Sequence, residues 1–212
     1  SSYFINSEIK DTELTGFILK NSTFKNFKFD NNILLDSKFY NSNFIANSKF
    51  TKNEVNNFYF DNIDFNNNKI YFNTFDSGQF LEVKNLKSQL SENKFSYVKF
   101  INLDLSNEEL RNISYSNVIF SNVNIENSKF MDCQMTNVEF NFSINKSTRY
   151  CNYIDGIIFK NINQKKIYLE GYTRFAKVQF INTKFEDLHL NNIHGETFKF
   201  INLNFANFNV TN

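Results

Sequence analysis

Proline is absent from the 212 residues, and glycine occurs only at Gly16, Gly78, Gly156, Gly171 and Gly195. Glycines this scattered exclude a glycine-rich loop able to cradle phosphate. The two residues that most often supply turns are therefore scarce, and another residue type must bend the chain. Cysteine occurs twice. Cys133 falls at an inward slot and Cys151 in an irregular stretch, and no bridge between them follows from the sequence. The two histidines, His189 and His194, have no third ligand nearby, so neither a metal nor another cofactor is expected. Lys and Arg number 23 against 22 Asp and Glu, a net charge of +1 with an isoelectric point near 7.6. That balance predicts neither a nucleic-acid binder nor an acidic polyelectrolyte. No apolar run is long enough for a membrane span, and no signal peptide is visible at Ser1, where the chain starts without Met. A processed or partial chain is the expectation, which leaves the compartment open between the cytoplasm and secretion as an effector.

What is present is a period. Phe50, Val55, Phe60, Phe65, Ile70, Phe75 and Phe80 recur every five residues. Helices repeat near 3.6 and strands at 2, so a strict five means that each unit turns one corner. The same rhythm runs from Phe4 through Ile9, Leu14 and onward to Phe44, and from Leu90 to Phe140. At 41% apolar composition, 27 apolar centres without a miss have a chance probability on the order of 10⁻¹⁰. Coincidence is thereby excluded, and the chain is read as a repeat. A further run, Phe175, Phe180, Phe185, Leu190, Phe200, Phe205 and Val210, breaks only at Gly195.

The neighbours of each centre are patterned too. Two positions before it stand Ser22, Ser37, Ser42, Ser48, Val98, Val118, Val123 and Thr183. Residues two apart in extended chain share a face, so this slot points inward with the centre. Three positions before the centre Asn dominates, as at Asn21, Asn26, Asn31, Asn41, Asn57, Asn62, Asn112, Asn117 and Asn122. Asn tolerates left-handed backbone and takes the turning role that Gly and Pro leave empty.

The unit of Asn, small or β-branched residue, any residue, Phe or Leu, any residue, as in Asn127-Ser128-Lys129-Phe130-Met131, resembles the pentapeptide repeat family. The resemblance covers nearly the whole chain. It implies an all-β, right-handed quadrilateral β-helix with four units to a coil, here one domain over 1–212 of about ten coils and about 50 Å. One departure is that Phe17, Phe27, Phe58, Phe198 and Phe208 occupy the inner slot where the family places small residues, so either a bulge or a local change of phase is expected there.

Three stretches disturb the rhythm. One residue is added between Phe44 and Phe50, read as a bulge at a corner. Over 81–89 a centre is lost, although Val83, Leu86 and Leu90 could form one helical turn. Over 141–174 the old phase holds Asn145, Asp155, Lys160, Lys165 and Glu170. A shift by one residue restores Ile144, Ile154, Phe159 and Leu169 as centres, implying a deletion near Asn141 and an addition near Arg174. Arg149 and Gln164 then fall at inward centres. Arg149, Tyr150, Tyr153, Lys165, Lys166, Tyr168, Tyr172 and Arg174 cluster in this stretch, an aromatic and basic mixture common at protein interfaces. They are the candidate partner-binding residues.

Stacking residues twenty apart also aligns Lys28, Lys49, Lys69 and Lys129 in one outward column, interrupted by Glu8, Gln89 and Glu109. Ser is spread through inner slots, so no nucleophile with a base is legible and no enzymatic activity or small-molecule substrate is expected. The expected role is a non-enzymatic protein-interaction or scaffold module, possible also as an end-to-end homodimer or as the β-helix part of a larger bacterial, effector-like protein. The resemblance implies an alternative, a DNA-shaped rod that occupies a type II topoisomerase such as DNA gyrase and protects it. That role needs ordered negative charge along the rod, which this chain does not display.

Overall fold

The computed structural model describes the backbone of residues 2–45, 47–66, 68–86, 90–124, 129–131, 134–141, 148–150, 153–160, 163–195 and 198–211. Side chains are described over the same segments to 124 and at 135–136, 138–139, 158, 179–184 and 198–204. The chain is a parallel β-solenoid in which each short strand pairs with the one a coil later. Ser2–Ile5 lies on Ser22–Lys25, with Phe4 opposite Phe24, and Lys28–Asp30 lies on Lys49–Thr51, with Phe29 opposite Phe50. Five residues make a side, so four walls close a coil. The first wall begins with Ser2–Ile5, the second with Glu8–Lys10, the third with Glu13–Thr15 and the fourth with Ile18–Lys20. Coils with described side chains make about seven turns, fewer than the ten expected from length, because much of 125–177 and the last residues lie outside that set.

The centres fill the interior. Phe24 and Phe44 stack with ring centroids 4.6 Å apart, Phe75 and Phe95 at 5.3 Å, and Phe80 and Phe100 at 5.1 Å with planes 3° apart. Between walls the rings meet edge to face, as Phe60 and Phe80 do at 88°. Each such ring, removed from water, contributes on the order of 2 kcal/mol, and the edge contacts add to it.

Corners form where Asn was expected to form them. Asn21, Asn26, Asn31, Asn41, Asn57, Asn62, Asn112, Asn117 and Asn122 all have φ between 46° and 57°. Their side chains link successive coils: Asn26 Nδ2 donates to Asn6 Oδ1 at 2.9 Å, Asn31 to Asp11 at 2.7 Å and Asn122 to Asn102 at 2.9 Å. Each amide thus both tolerates the left-handed turn and ties it to the turn below.

Phe17, Phe27 and Phe58 need neither a bulge nor a phase change, and Phe198 keeps register with Val178, while the side chain of Phe208 lies outside the described residues. Phe27 and Phe58 are buried, while Phe17 is half-buried. In the next coil the slot above Phe17 is Ser37, above Phe27 is Ser48 and above Phe58 is Gly78. Backbone bonding continues past each ring, from Lys38 N to Phe17 O at 2.8 Å, Lys49 N to Phe27 O at 2.8 Å and Gln79 N to Phe58 O at 3.1 Å. A large residue is accommodated because its axial neighbour is small.

One inner column carries a polar ladder that the sequence reading did not identify. Asn32, Asn53, Asn73 and Asn93 are each 1% exposed. Asn53 Oδ1 accepts from Asn32 N at 3.0 Å, Asn73 Oδ1 from Asn53 N at 2.9 Å and Asn93 Oδ1 from Asn73 N at 2.9 Å. Their Nδ2 groups donate to the carbonyls of Ile9, Phe29, Phe50 and Ile70. Corner backbone groups left without a sheet partner are satisfied in this way.

The added residue lies between Ile45 and Lys49, where pairing changes from Thr23 with Asn43 to Lys28 with Lys49. Over 81–89 the first wall continues, with Asp64 opposite Lys84, and Leu86 is buried while Asn85 turns the corner at φ 51°. Residues 87–89 lie outside the described residues.

Candidate functional site

Packing consumes the centres and inner slots, so the outward columns are what another molecule can meet. On the second wall Glu8, Lys28, Lys49 and Lys69 stand in register, and Glu109 pairs with Lys129, which pairs with Arg149. The lysine column is therefore real, and Gln89 lies outside the described residues. On the first wall Asn43, Asp64 and Lys84 follow one another, as do Asp104 and Asn124. No column of carboxylates forms among these described residues.

The fourth wall differs from the other three. One outward column runs Ile18, Lys38, Tyr59, Gln79, Lys99 and Ile119, and the one beside it runs Lys20, Tyr40, Asp61, Leu81, Ile101 and Ser121. Ile18 is 58% exposed; Tyr40, Tyr59, Leu81, Ile101 and Ile119 are half-buried. Lys20 Nζ sits 5.3 Å from the Tyr40 ring centroid, and the Tyr40 and Tyr59 rings are 5.4 Å apart. The wall is apolar and cationic, with Asp61 as the acid within these two stretches of column.

A depression of about 540 Å³ opens at the corner leading into this wall. Lys38, Tyr40, Tyr59, Gly78, Tyr97 and Lys99 are among its lining residues. The backbone of Gly78 forms part of the floor. Tyr97 raises the rim, since it turns the corner at φ 52° and is 63% exposed. A bulky aromatic residue in left-handed backbone is uncommon and costs strain. Single-sequence periodicity places these residues correctly but does not mark them, because they unite only when rungs are stacked at twenty and twenty-one residues. A second depression of about 520 Å³, by Glu82, Lys84, Asn85, Asn102 and Asp104, mixes both charges. Among the described residues no group of three His, Cys, Asp or Glu could hold a metal.

The sequence-based candidates occupy backbone positions on Thr148–Tyr150, Tyr153–Lys160 and Asn163–Ile181; their side chains lie outside the described residues. Arg149 pairs with Lys129 and Tyr168, and Tyr150 pairs with Leu169, so Arg149 takes the register position of Lys129 and Tyr150 takes the centre position. The expectation that Arg149 is an inward centre is thus corrected. The cause is the site of the deletion. Lys129 pairs with Arg149 but Gln134 with Tyr153, so the missing residue falls between Tyr150 and Tyr153 rather than near Asn141. The compensating residue enters between Glu170 and Thr173, at Gly171 and Tyr172. Register brings Arg149 beside Tyr168 and Tyr153 beside Arg174, all at the corner between the second and third walls. Lys166 pairs with Asp187 one corner earlier, next to Lys165, and Gln164 takes a centre position opposite Phe185, as expected. His189 and His194 pair with Tyr168 and Arg174 in the register. Cys133 and Cys151 lie outside the described residues.

No family model matches the chain, and no curated protein does. Solved structures that resemble it include full-length QnrB1, a plasmid-mediated fluoroquinolone resistance protein, at 11% identity over 96% of this chain and 93% of that one, with a TM-score of 0.32. A trypsin-treated QnrB1 variant gives 16% identity, 94% and 91% coverage, and 0.34. HetL, a pentapeptide repeat protein involved in heterocyst differentiation regulation from the cyanobacterium Nostoc sp. strain PCC 7120, gives 6% identity, 96% and 87% coverage, and 0.28. The four-walled parallel β-solenoid follows from the chain's own twenty-residue register and five-residue walls.

Proposed function

We propose that this chain is a non-enzymatic protein-binding scaffold that meets its partner through its outer walls. The supporting observation is the division of labour across the backbone. Apolar centres and the asparagine ladder face inward and are consumed by packing, whereas the fourth wall leaves Tyr40, Tyr59, Leu81 and Ile101 half-open beside lysines that have no ion-pair partner among the described residues. Aromatic and cationic groups on a rigid surface are the composition of protein interfaces. The irregular corner with Arg149, Tyr153, Tyr168, Tyr172 and Arg174 carries both a missing and an added residue and is proposed as a second contact. A DNA-mimic role is not favoured, because Lys28, Lys49 and Lys69 stand where such a rod needs carboxylates.

Photo-crosslinking side chains placed at positions 38, 69, 114 and 168 of the full chain, irradiated in extract of the source cells, test the reading. Discrete protein adducts that depend on position are expected. Absence of adducts at every position would overturn it. In a gyrase supercoiling assay with a fluoroquinolone the chain is expected to leave inhibition unchanged, and protection would favour the mimic instead.

A further inference from the structure

We infer that the depression on the fourth wall takes an extended acidic segment of a protein partner, with two carboxylates four residues apart flanking one apolar side chain. This rests on the protein-binding reading above and names the chemistry of that partner.

Lys38, Tyr59, Gln79 and Lys99 are consecutive rungs of one outward column. Three steps of strand spacing put the two lysines about 14 Å apart along the axis. Neither has an ion-pair partner among the described residues, and both are exposed. Lys20 adds a third cation over Tyr40. The nearby acids are Asp36, whose Oδ1 accepts a hydrogen bond from Asn57 Nδ2 at 2.5 Å, Asp61, beside Tyr40 in its column, and Asp76, which precedes Ser77 at the end of the third wall. The wall therefore presents cations at both ends and aromatic surface between them.

An extended chain advances about 3.4 Å per residue and turns alternate side chains to one face. Residues i and i+4 then point the same way about 13 to 14 Å apart, which matches the spacing of Lys38 and Lys99. Residue i+2 lies midway on that same face, over the floor made by Tyr40, Tyr59 and Gly78 and below the rim of Tyr97. Ser77, Asn57 and the Gln79 amide line the same space and offer hydrogen bonds to a passing backbone. A bilayer presents its charge in a plane, with no need of two cations at a fixed separation or of a concave aromatic floor. The recessed shape suits a side chain projecting from a polypeptide.

The probe is a fluorescein-labelled peptide with the core Glu-Gly-Phe-Gly-Glu, titrated with the full chain at low salt and read by anisotropy. Saturable binding is expected, weakened about tenfold or more by the Lys38→Glu/Lys99→Glu double substitution. A Lys-Gly-Phe-Gly-Lys peptide should bind that variant better than it binds the unaltered chain. Moving the two Glu residues to a separation of two should weaken binding by the unaltered chain. Both substitutions are on exposed side chains, and an unchanged circular dichroism spectrum and melting temperature confirm the fold. No binding by the unaltered chain, equal binding by the double variant, or indifference to Glu spacing would each overturn the proposal. Cosedimentation with phosphatidylserine-containing vesicles in the absence of peptide binding would assign the wall to a membrane and also overturn it. If the unaltered chain fails to bind the peptide but still gives position-dependent protein adducts in the crosslinking experiment, this surface fails while the scaffold reading stands; absence of adducts at every position removes both.

Discussion

Replacing Gly78 with Ala adds a single methyl group, and the stacked geometry predicts that it destabilises the molecule. A Cβ at Gly78 would lie 2.5 Å from Phe58 Cε1 and 2.5 Å from the Phe58 carbonyl oxygen, and closer still to Cδ1. Non-bonded carbons prefer about 3.5–4.0 Å, so both ring and carbonyl are overlapped by an ångström or more. The ring can rotate away in part. The carbonyl is held by the hydrogen bond from Gln79 N at 3.1 Å, so the rungs themselves must separate. Overpacking of this kind costs about 1–3 kcal/mol, which in a chain of this size lowers the melting temperature by about 2–12 °C. Guanidinium and thermal unfolding followed by far-ultraviolet circular dichroism measure it. Gly78 does not have positive φ, so without the clash Ala would be neutral or stabilising by about 0.4–1 kcal/mol. An unchanged or raised melting temperature would therefore refute the account of how large inner residues are accommodated. A Phe58→Ala partner substitution closes the cycle: the double variant should be more stable than the sum of the single effects predicts, by about 0.5–3 kcal/mol.

Asn53→Ile is expected to cost about 2–3 kcal/mol in chemical denaturation, because Asn32 N and the Phe29 carbonyl lose their partner in the interior. The slot itself accepts Ile, as buried Ile113 shows one coil beyond Asn93, so the loss is polar rather than steric; a cost below about 0.5 kcal/mol would deny the ladder its role. Phe72→Asn should raise the melting temperature by the equivalent of about 0.5–1 kcal/mol, since Phe72 turns a corner at φ 60° while 55% exposed. Tyr97→Asn should likewise stabilise the fold but weaken binding of the acidic peptide, a trade that paired melting and anisotropy measurements detect. At Gly16, with φ 64° and nothing within 4 Å of an added Cβ, Asn should be tolerated, whereas Val should cost about 1–2 kcal/mol by the same unfolding assay.

The walls were legible in the sequence because a spacing of five admits few backbone shapes. The corners were legible because Asn has a distinct conformational preference. Stacking at twenty residues is legible, as the lysine column shows, but which stacked neighbours match in size, bond to one another or form a joint surface is not, and this accounts for the features missed. Phe58 reads as an exception until Gly78 is set above it, and Asn32, Asn53, Asn73 and Asn93 share a slot with Ser and Val elsewhere and do not stand out as a ladder. The misplaced deletion has a related cause. Ile144 follows Phe140 by four residues, which suggested a loss at Asn141, but pairing of Lys129 with Arg149 carries the older register through to Tyr150. Periodicity senses that a residue is missing somewhere between two apolar centres; only the neighbouring strand reveals which corner was shortened. The fourth wall escaped notice for the same reason, since Lys38, Tyr59, Gln79 and Lys99 become a surface only after the coils are superposed.

In-register stacking has a consequence for how such a molecule changes length. Glu54 lies opposite Thr74, so joining Glu54 directly to Phe75 would excise one whole coil and leave every remaining side chain facing as before. The solenoid is thus a ruler with graduations of one strand spacing, about 4.8 Å. Subtracting that graduation would bring Lys38 and Lys99 nearer by the same amount and retune the wall to carboxylates set closer together, over a floor that has lost the Tyr59 ring with the excised coil.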